Sequence, residues 1–449
     1  MPCERASSYA RAPEAVSPLP DSPPAAGARP YYGWYVVAVL FLMLATASGL
    51  AFYNLSVYMN ALVATHGFPV GAVSTAIAVF FVSSGLAGLG VARLLQDLDP
   101  RWTIGLGGIV GAVALLALGR VTELWQLYLV LGLFGVGHAC AALVPATTLV
   151  ARWFVARRAV ALSIASTGLS VGGILITPGS ASLIANLGLD GAAPWFALVW
   201  LLGIVPISLL VLRPAPADPE AADASARNAP DMAGTAPVIR ASGRGWTREE
   251  ALRSRWFQMI TGAWVLLMLA QVGAISHLFN LAATRTDTGT GATAVSLMAA
   301  CSIVGRFLGG WVISRWDTRT FAMLCIVGQG IAMTVLALAT TPTLLLAGAA
   351  LFGGTVGNLL MLQPLLLAEA FGVRDYGRIF SISNLLSTLG VASGPALLGL
   401  LYDAAGGYGP SFGLAALACA VALLIMFIMG ALPDPDGPAR AEPERDSAV

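Results

Sequence analysis

Apolar runs of 20 or more residues recur along nearly the whole chain, and they decide what it can fold into. At about 1.5 Å of rise per residue, about 20 residues cross a hydrocarbon core of about 30 Å. Only 10% of the 449 residues are charged and mean hydropathy is +0.80, whereas a soluble domain carries about 25% charged residues. Water is therefore not the main solvent of this chain. The runs read as spans over residues 33–60, 70–94, 102–121, 125–150, 158–186 and 194–213, then 257–283, 291–314, 320–340, 343–368, 377–402 and 409–431.

Basic residues are retained on the cytoplasmic side of a membrane, so their distribution predicts orientation. Twenty-one of the 24 arginines fall in the two tails and in alternate connections. The opposite connections hold Arg120 and Arg285 alone, and Arg306 belongs to neither side. The expectation is a multi-pass protein of the cell inner membrane with both termini cytoplasmic. There is no lysine, which excludes Schiff-base chemistry. A net charge of +1 gives no field for nucleic acid. The five cysteines show no metal-ligand or disulfide spacing, and no P-loop or hydrolytic triad is legible. No catalytic residue, cofactor or metal is expected, and energy has to come from a gradient or from exchange.

Residues repeat at a nearly constant displacement. Asp99, Arg101, Phe134 and Gly135 recur 218 residues later as Asp317, Arg319, Phe352 and Gly353, and Phe154, Arg157, Gly173 and Pro178 recur 217 later as Phe371, Arg374, Gly390 and Pro395. Two homologous halves follow. The fold class is an all-α membrane protein with 12 transmembrane helices in two pseudo-symmetric six-helix bundles. The expected layout is a disordered cytoplasmic tail (1–30), a first bundle (31–213), a cytoplasmic linker (214–256), a second bundle (257–431) and a C-terminal tail (432–449). Thr247 and Glu250 have capping-box spacing and predict a short interfacial helix over 248–256, its arginines toward anionic headgroups.

Two six-helix halves with basic motifs in corresponding connections resemble the major facilitator superfamily, over residues 31–431. The motif between the second and third spans reads RLLQDLDPR (93–101), and its second copy reads GGWVISRWDTR (309–319). Within the superfamily the chain is similar to the monocarboxylate and oxalate-formate transporter branch. That likeness rests on RWFVARRAVALSIASTGLSVGG (152–173), YGW (32–34), WTREEALRS (246–254) and GRFLGGW (305–311). The chain departs from that pattern at Gln96 and Asp97. It carries Ser302 where animal members have an aspartate one turn before Arg306, and Asn54 near the place of a first-span lysine. The resemblance implies gating roles for Arg93, Asp99, Arg101, Arg157, Arg158, Arg315, Asp317, Arg319, Glu369 and Arg374, with Glu369 facing Arg374 or Arg378.

Arg306 lies nine residues from Arg315, hence about 13 Å inward and near mid-bilayer. An arginine there is costly unless it faces a cavity or a partner, and no Asp or Glu lies deep within any span. An incoming carboxylate could complete it, or helix-end carbonyls and water could. His138 and His277 are deep as well, as proton carriers or as neutral histidines held by backbone, and Asn54 either lines the pathway or bridges helices. Tyr53 and Tyr58 either cap the cavity or sit at the membrane interface. The predicted substrate-binding set is Arg306, Asn54, His277 and His138. The expected function is secondary active or facilitative transport of a small, monocarboxylate-like organic anion, with protons or a counter-anion as further partners, the bilayer as surroundings and a monomeric state. Efflux of apolar drugs and a non-transporting sensor are the alternatives.

Overall fold

The computed structural model describes residues 32–154, 158–212, 245–313, 315–372 and 374–433, almost all of them helical. The expected tail over 1–30, most of the linker and most of the C-terminal tail lie outside these residues. Eleven of the described helices are long and apolar enough to cross a membrane. The first four are α1 (Tyr32–His66), α2 (Val70–Asp97), α3 (Pro100–Leu118) and α4 (Leu124–Ala141, continued by Leu143–Trp153). The break at Ala142 precedes Pro145, which has no N–H for the carbonyl four residues before it.

Arg158–Leu210 runs for 53 residues, about 80 Å of ideal helix, which is far more than one crossing needs. Gly188, at φ 71° and ψ 173°, divides it into α5 (158–187) and α6 (189–210). Only glycine adopts that backbone conformation without strain. The chain then doubles back. At the start of α1, the Tyr32 ring packs on Trp153 at 5.6 Å and its hydroxyl donates to the Val211 carbonyl at 2.7 Å, so both ends of the run return to one face. Eleven helical runs therefore make 12 crossings, completed by α7 (Arg255–Arg285), α8 (Thr288–Ile313), α9 (Thr318–Leu338), α10 (Pro342–Phe371), α11 (Tyr376–Ala405) and α12 (Tyr408–Ile428).

The sequence repeat reappears as repeated contacts. A methyl group at Gly135 would overlap the Phe80 carbonyl, and one at Gly353 would overlap the Met298 carbonyl; both members of the pair are displaced by 218 residues. Such close backbone approach is what drives helix association where lipid is as apolar as the side chains. Asp99 caps α3 by accepting from the Arg101 amide, and Asp317 caps α9 by accepting from the Thr320 amide. One hydrophobic cluster gathers mainly α1 to α6 and another mainly α7 to α12. Leu106, Leu129, Leu175 and Phe427 are among the large apolar side chains left on the outside, as a lipid-facing belt requires.

The interfacial helix forms over Arg248–Arg253, shorter than the expected 248–256, because Ser254 leaves the helical conformation and caps α7 through the Phe257 amide. Its capping box is present: Thr247 accepts from the Glu250 amide and the Glu250 carboxylate accepts from the Thr247 amide at 2.8 Å. Trp246 packs edge-on against Phe371, and the Arg248 amide donates to Asp375 at 2.9 Å, so the linker's end is docked on the α10–α11 turn.

The halves touch along α2 with α11 and α5 with α8, and both seams are closed toward the face away from Tyr32. On the first seam the Gly71 amide donates to Asp403 at 2.7 Å and Gly85 packs on Thr388; nearby, Asn60 of α1 donates to Asn280 of α7 at 2.7 Å. On the second, Ser296 donates to the Ile174 carbonyl at 3.4 Å and Ser170 meets Ser302 at 2.9 Å. Beyond Ser170, toward the side on which α1 begins, Ser163 of α5 is exposed and lines a cleft with Arg306 of α8. The arginine asymmetry predicts that this side is cytoplasmic. Cysteines placed singly at exposed Glu249 and Thr288 are then expected to react with an impermeant thiol reagent from opposite sides of the membrane. Labelling from the same side would reject the orientation.

Candidate functional site

Where α5 and α8 part they leave a cleft of ≈ 70 Å³, lined by Ser163, Ser166, Thr167, Ile303, Arg306, Phe307 and Met361. Three elements deliver its polar end. A π-helical segment in α1, Ser48–Tyr53, adds a residue to the turn and carries Tyr53 beside Ser170 and Arg306. Such insertions in an α-helix are frequent at functional sites. On α5, Ser163, Thr167 and Ser170 recur at helical spacing, so one side of an apolar helix is hydroxylated. On α8, Ser302 precedes Arg306 by one turn.

Arg306 is placed by packing and by one hydrogen bond. Its stem and Nε lie over Gly357 of α10, where a β-carbon would overlap them. Its Nη2 donates to the Ser170 hydroxyl at 3.1 Å. No carboxylate pairs with it: among the described residues the ion pair within 4 Å is Arg101 with Asp99, at 3.7 Å. The guanidinium has five N–H donors in a planar fork. The Ser170 hydroxyl satisfies one of them, and the cleft beside it has room for a small acceptor.

The other predicted residues are not gathered here. Asn54 donates to Ser180 at 2.7 Å and bridges α1 to α5. Its Oδ1 is buried without a hydrogen-bond partner. Tyr58 is buried with its hydroxyl on the Leu50 carbonyl at 2.9 Å, neither a cap on the cavity nor an interface aromatic. His138 of α4 faces α2, with Nδ1 3.1 Å from the Ser84 hydroxyl and its ring on Phe80 at 5.2 Å. His277 is fully buried in the closed seam. Its Nε2 lies 3.0 Å from the Pro395 carbonyl and Nδ1 3.2 Å from the Tyr408 hydroxyl. A carbonyl only accepts, so Nε2 carries a proton, while the Tyr408 hydroxyl at Nδ1 is able to donate or to accept.

The motif residues hold their own halves together. The Asp99 pair with Arg101 is local, within the cap of α3. Arg319 donates to the Met426 carbonyl at 2.9 Å and so satisfies the end of α12, where a cation also complements the helix dipole. Arg315 lies over the Trp311 ring at 3.9 Å. Glu369 accepts from the Thr318 hydroxyl at 2.6 Å rather than from Arg374 or Arg378. The chain turns at Gly372, φ 69°, and sets the Arg374 backbone against Gly245 instead. Arg93 is exposed near the end of α2, Arg158 opens α5, and Arg157 lies outside the described residues. Sequence reasoning missed Ser170 and Gly357, and noted Ser302 only as a missing aspartate. The hydroxyl stripe on α5 was the signal for Ser170.

Comparison with known proteins follows the same lines. The sequence profile of the Major Facilitator Superfamily matches residues 41–305 and 272–448. Monocarboxylate transporter 11 of Mus musculus is 25% identical over 424 residues, covering 88% of this chain and 86% of that protein. Monocarboxylate transporter 13 of Bos taurus is 26% identical, with 85% of each chain covered. Among solved structures, an inward-facing, occupied bacterial homolog of the human lysosomal transporter Spinster superposes with a TM-score of 0.69 at 16% identity, covering 90% of this chain and 97% of that one.

Proposed function

The chain belongs to the Major Facilitator Superfamily and is a multi-pass membrane transporter, and on that premise we propose that it carries a small organic anion of the monocarboxylate class by alternating access. The observation that supports this reading is Arg306, a deep guanidinium with no carboxylate partner among the described residues, beside a small cleft. An arginine at the centre of a bilayer costs roughly 2.5–3.5 kcal/mol on insertion scales. One hydrogen bond to a charged group returns about 1.5–3 kcal/mol. The account closes better when a carboxylate arrives, because the planar fork offers it two parallel N–H donors. Relatives that bear the name monocarboxylate transporter, matched over most of their length, support the same class.

The rocking of two halves about a midplane site suits this geometry, since the seams are closed on one face and open on the other. The open face is taken as cytoplasmic, in the inner membrane, and the protein as a monomer. Coupling to protons would route through the substrate itself, His138 or His277; exchange for a second anion needs none of them. Efflux of apolar cationic drugs is the weaker reading, because the residues lining the cleft include no acid. Reconstituted protein is expected to take up radiolabelled lactate or formate saturably, and oxalate poorly, since one guanidinium matches one carboxylate. Uptake of none of the three, with the protein folded, would reject the monocarboxylate class.

A further inference from the structure

Ser170 is fully buried where α1, α5 and α8 meet, and its hydrogen bonding can be followed proton by proton. The hydroxyl has one proton and two lone pairs. It accepts from Arg306 Nη2 at 3.1 Å, lies 2.9 Å from the Ser302 hydroxyl and sits beside the Tyr53 hydroxyl as well. Ser302 donates its own proton to the Ala299 carbonyl at 3.0 Å. The proton between the two serines therefore belongs to Ser170. The chain runs one way, from the guanidinium to Ser170, on to Ser302, and into the backbone of α8.

That direction has a consequence for the cleft. With its proton committed to Ser302 and its lone pairs facing Arg306 and the Tyr53 hydroxyl, Ser170 has no donor left for a carboxylate oxygen. One N–H of the fork is tied down and the plane of the others is fixed. Ser302 and Ala299 sit on Arg306's own helix, but Ser170 comes from the other half. The tether thus crosses the seam that has to move during transport.

We propose that Ser170 is a positioning residue: it acts through Arg306, holding the guanidinium plane so that its remaining donors face an anion in the cleft. The proposal rests on the reading of Arg306 as the anion ligand. Losing a hydrogen bond to a charged group predicts a rise in half-saturation for lactate of about tenfold to hundredfold in Ser170→Ala, with the maximal rate kept within about twofold. Ser302→Ala leaves the Arg306 contact in place and should raise it far less. A serine that merely fills space would instead lower thermal stability and maximal rate alike in both variants.

A double-mutant cycle in proteoliposomes makes the test specific. In an Arg306→Lys background, which has no planar fork to orient, Ser170→Ala should change the half-saturation for lactate by less than about twofold. An equal rise in both backgrounds overturns the inference, as does an unchanged value in the wild-type background. A second measurement needs no substrate: phenylglyoxal modification of Arg306, followed by peptide mass spectrometry, should quicken severalfold in Ser170→Ala. An unchanged rate also overturns it. The underlying reading fails separately, if Arg306→Ala keeps wild-type half-saturation for lactate.

Discussion

Arg306→Ala is expected to reduce anion transport to background while the protein inserts, folds and survives in detergent much as the wild type does. The two halves of that expectation have different causes. Transport is lost because Arg306 is the cationic side chain lining the cleft, and a methyl group offers a carboxylate nothing. Stability is kept because removing the arginine ends a burial cost of roughly 2.5–3.5 kcal/mol. What is given up is the hydrogen bond to Ser170 and the stem packed over Gly357. These are of similar size, so the net change should stay within about 1–2 kcal/mol. Arg306→Lys keeps the charge without the fork, and should retain slower transport with weaker binding. Thermal unfolding with and without lactate, beside flux, separates the roles. A wild-type alanine flux would end the assignment, and so would an alanine variant that fails to insert while the lysine variant is normal, since Arg306 would then be structural.

The fold was legible because lipid imposes a long, simple pattern. A span must be about 20 residues of apolar helix, and little else in a sequence looks like that. The 218-residue displacement carried further still, since Gly135 and Gly353 turned out to make the same backbone contact in each half. The α5–α6 boundary was legible as the gap between spans ending at 186 and beginning at 194, and the structure makes its turn there at one glycine with a positive φ, Gly188.

The site was legible only in its charge. A deep arginine stands out because it is expensive, whereas its partners are hydroxyls and a glycine, which are cheap and common in apolar helices. Ser170 lies 136 residues from Arg306 in sequence and reaches it only once the halves are assembled. The gating acids and bases were legible as a motif, but not in their pairing. Asp99, Asp317 and Arg319 satisfy helix ends, which spacing cannot distinguish from bonds between halves. Glu369 chose the hydroxyl of Thr318, close at the start of α9, over arginines beyond the Gly372 turn.

A disulfide between α2 and α11 should stop transport without unfolding anything, and it tests the rocking of the halves directly. A β-carbon at Gly85 would stand 3.2 Å from Cγ2 of Thr388. In Gly85→Cys with Thr388→Cys, a sulfur taking the place of that methyl group lies about where a bridge to the new β-carbon needs it, given bond lengths of about 2 Å. Gly85 is in α2 and Thr388 in α11, so the bridge joins the two halves across the closed seam. Opening the face that is now shut requires these helices to separate, because Gly71 with Asp403 lies on the same pair farther along. Oxidation is therefore expected to bring flux of the double variant to background, and dithiothreitol to restore it, while each single variant is indifferent to both. Binding measured as a lactate-induced rise in thermal stability should persist in the cross-linked protein, because the Arg306 cleft stays open on its own side. Flux that continues after complete cross-linking would mean that these two helices do not part during transport, and alternating access by movement of the halves would have to be abandoned for this chain.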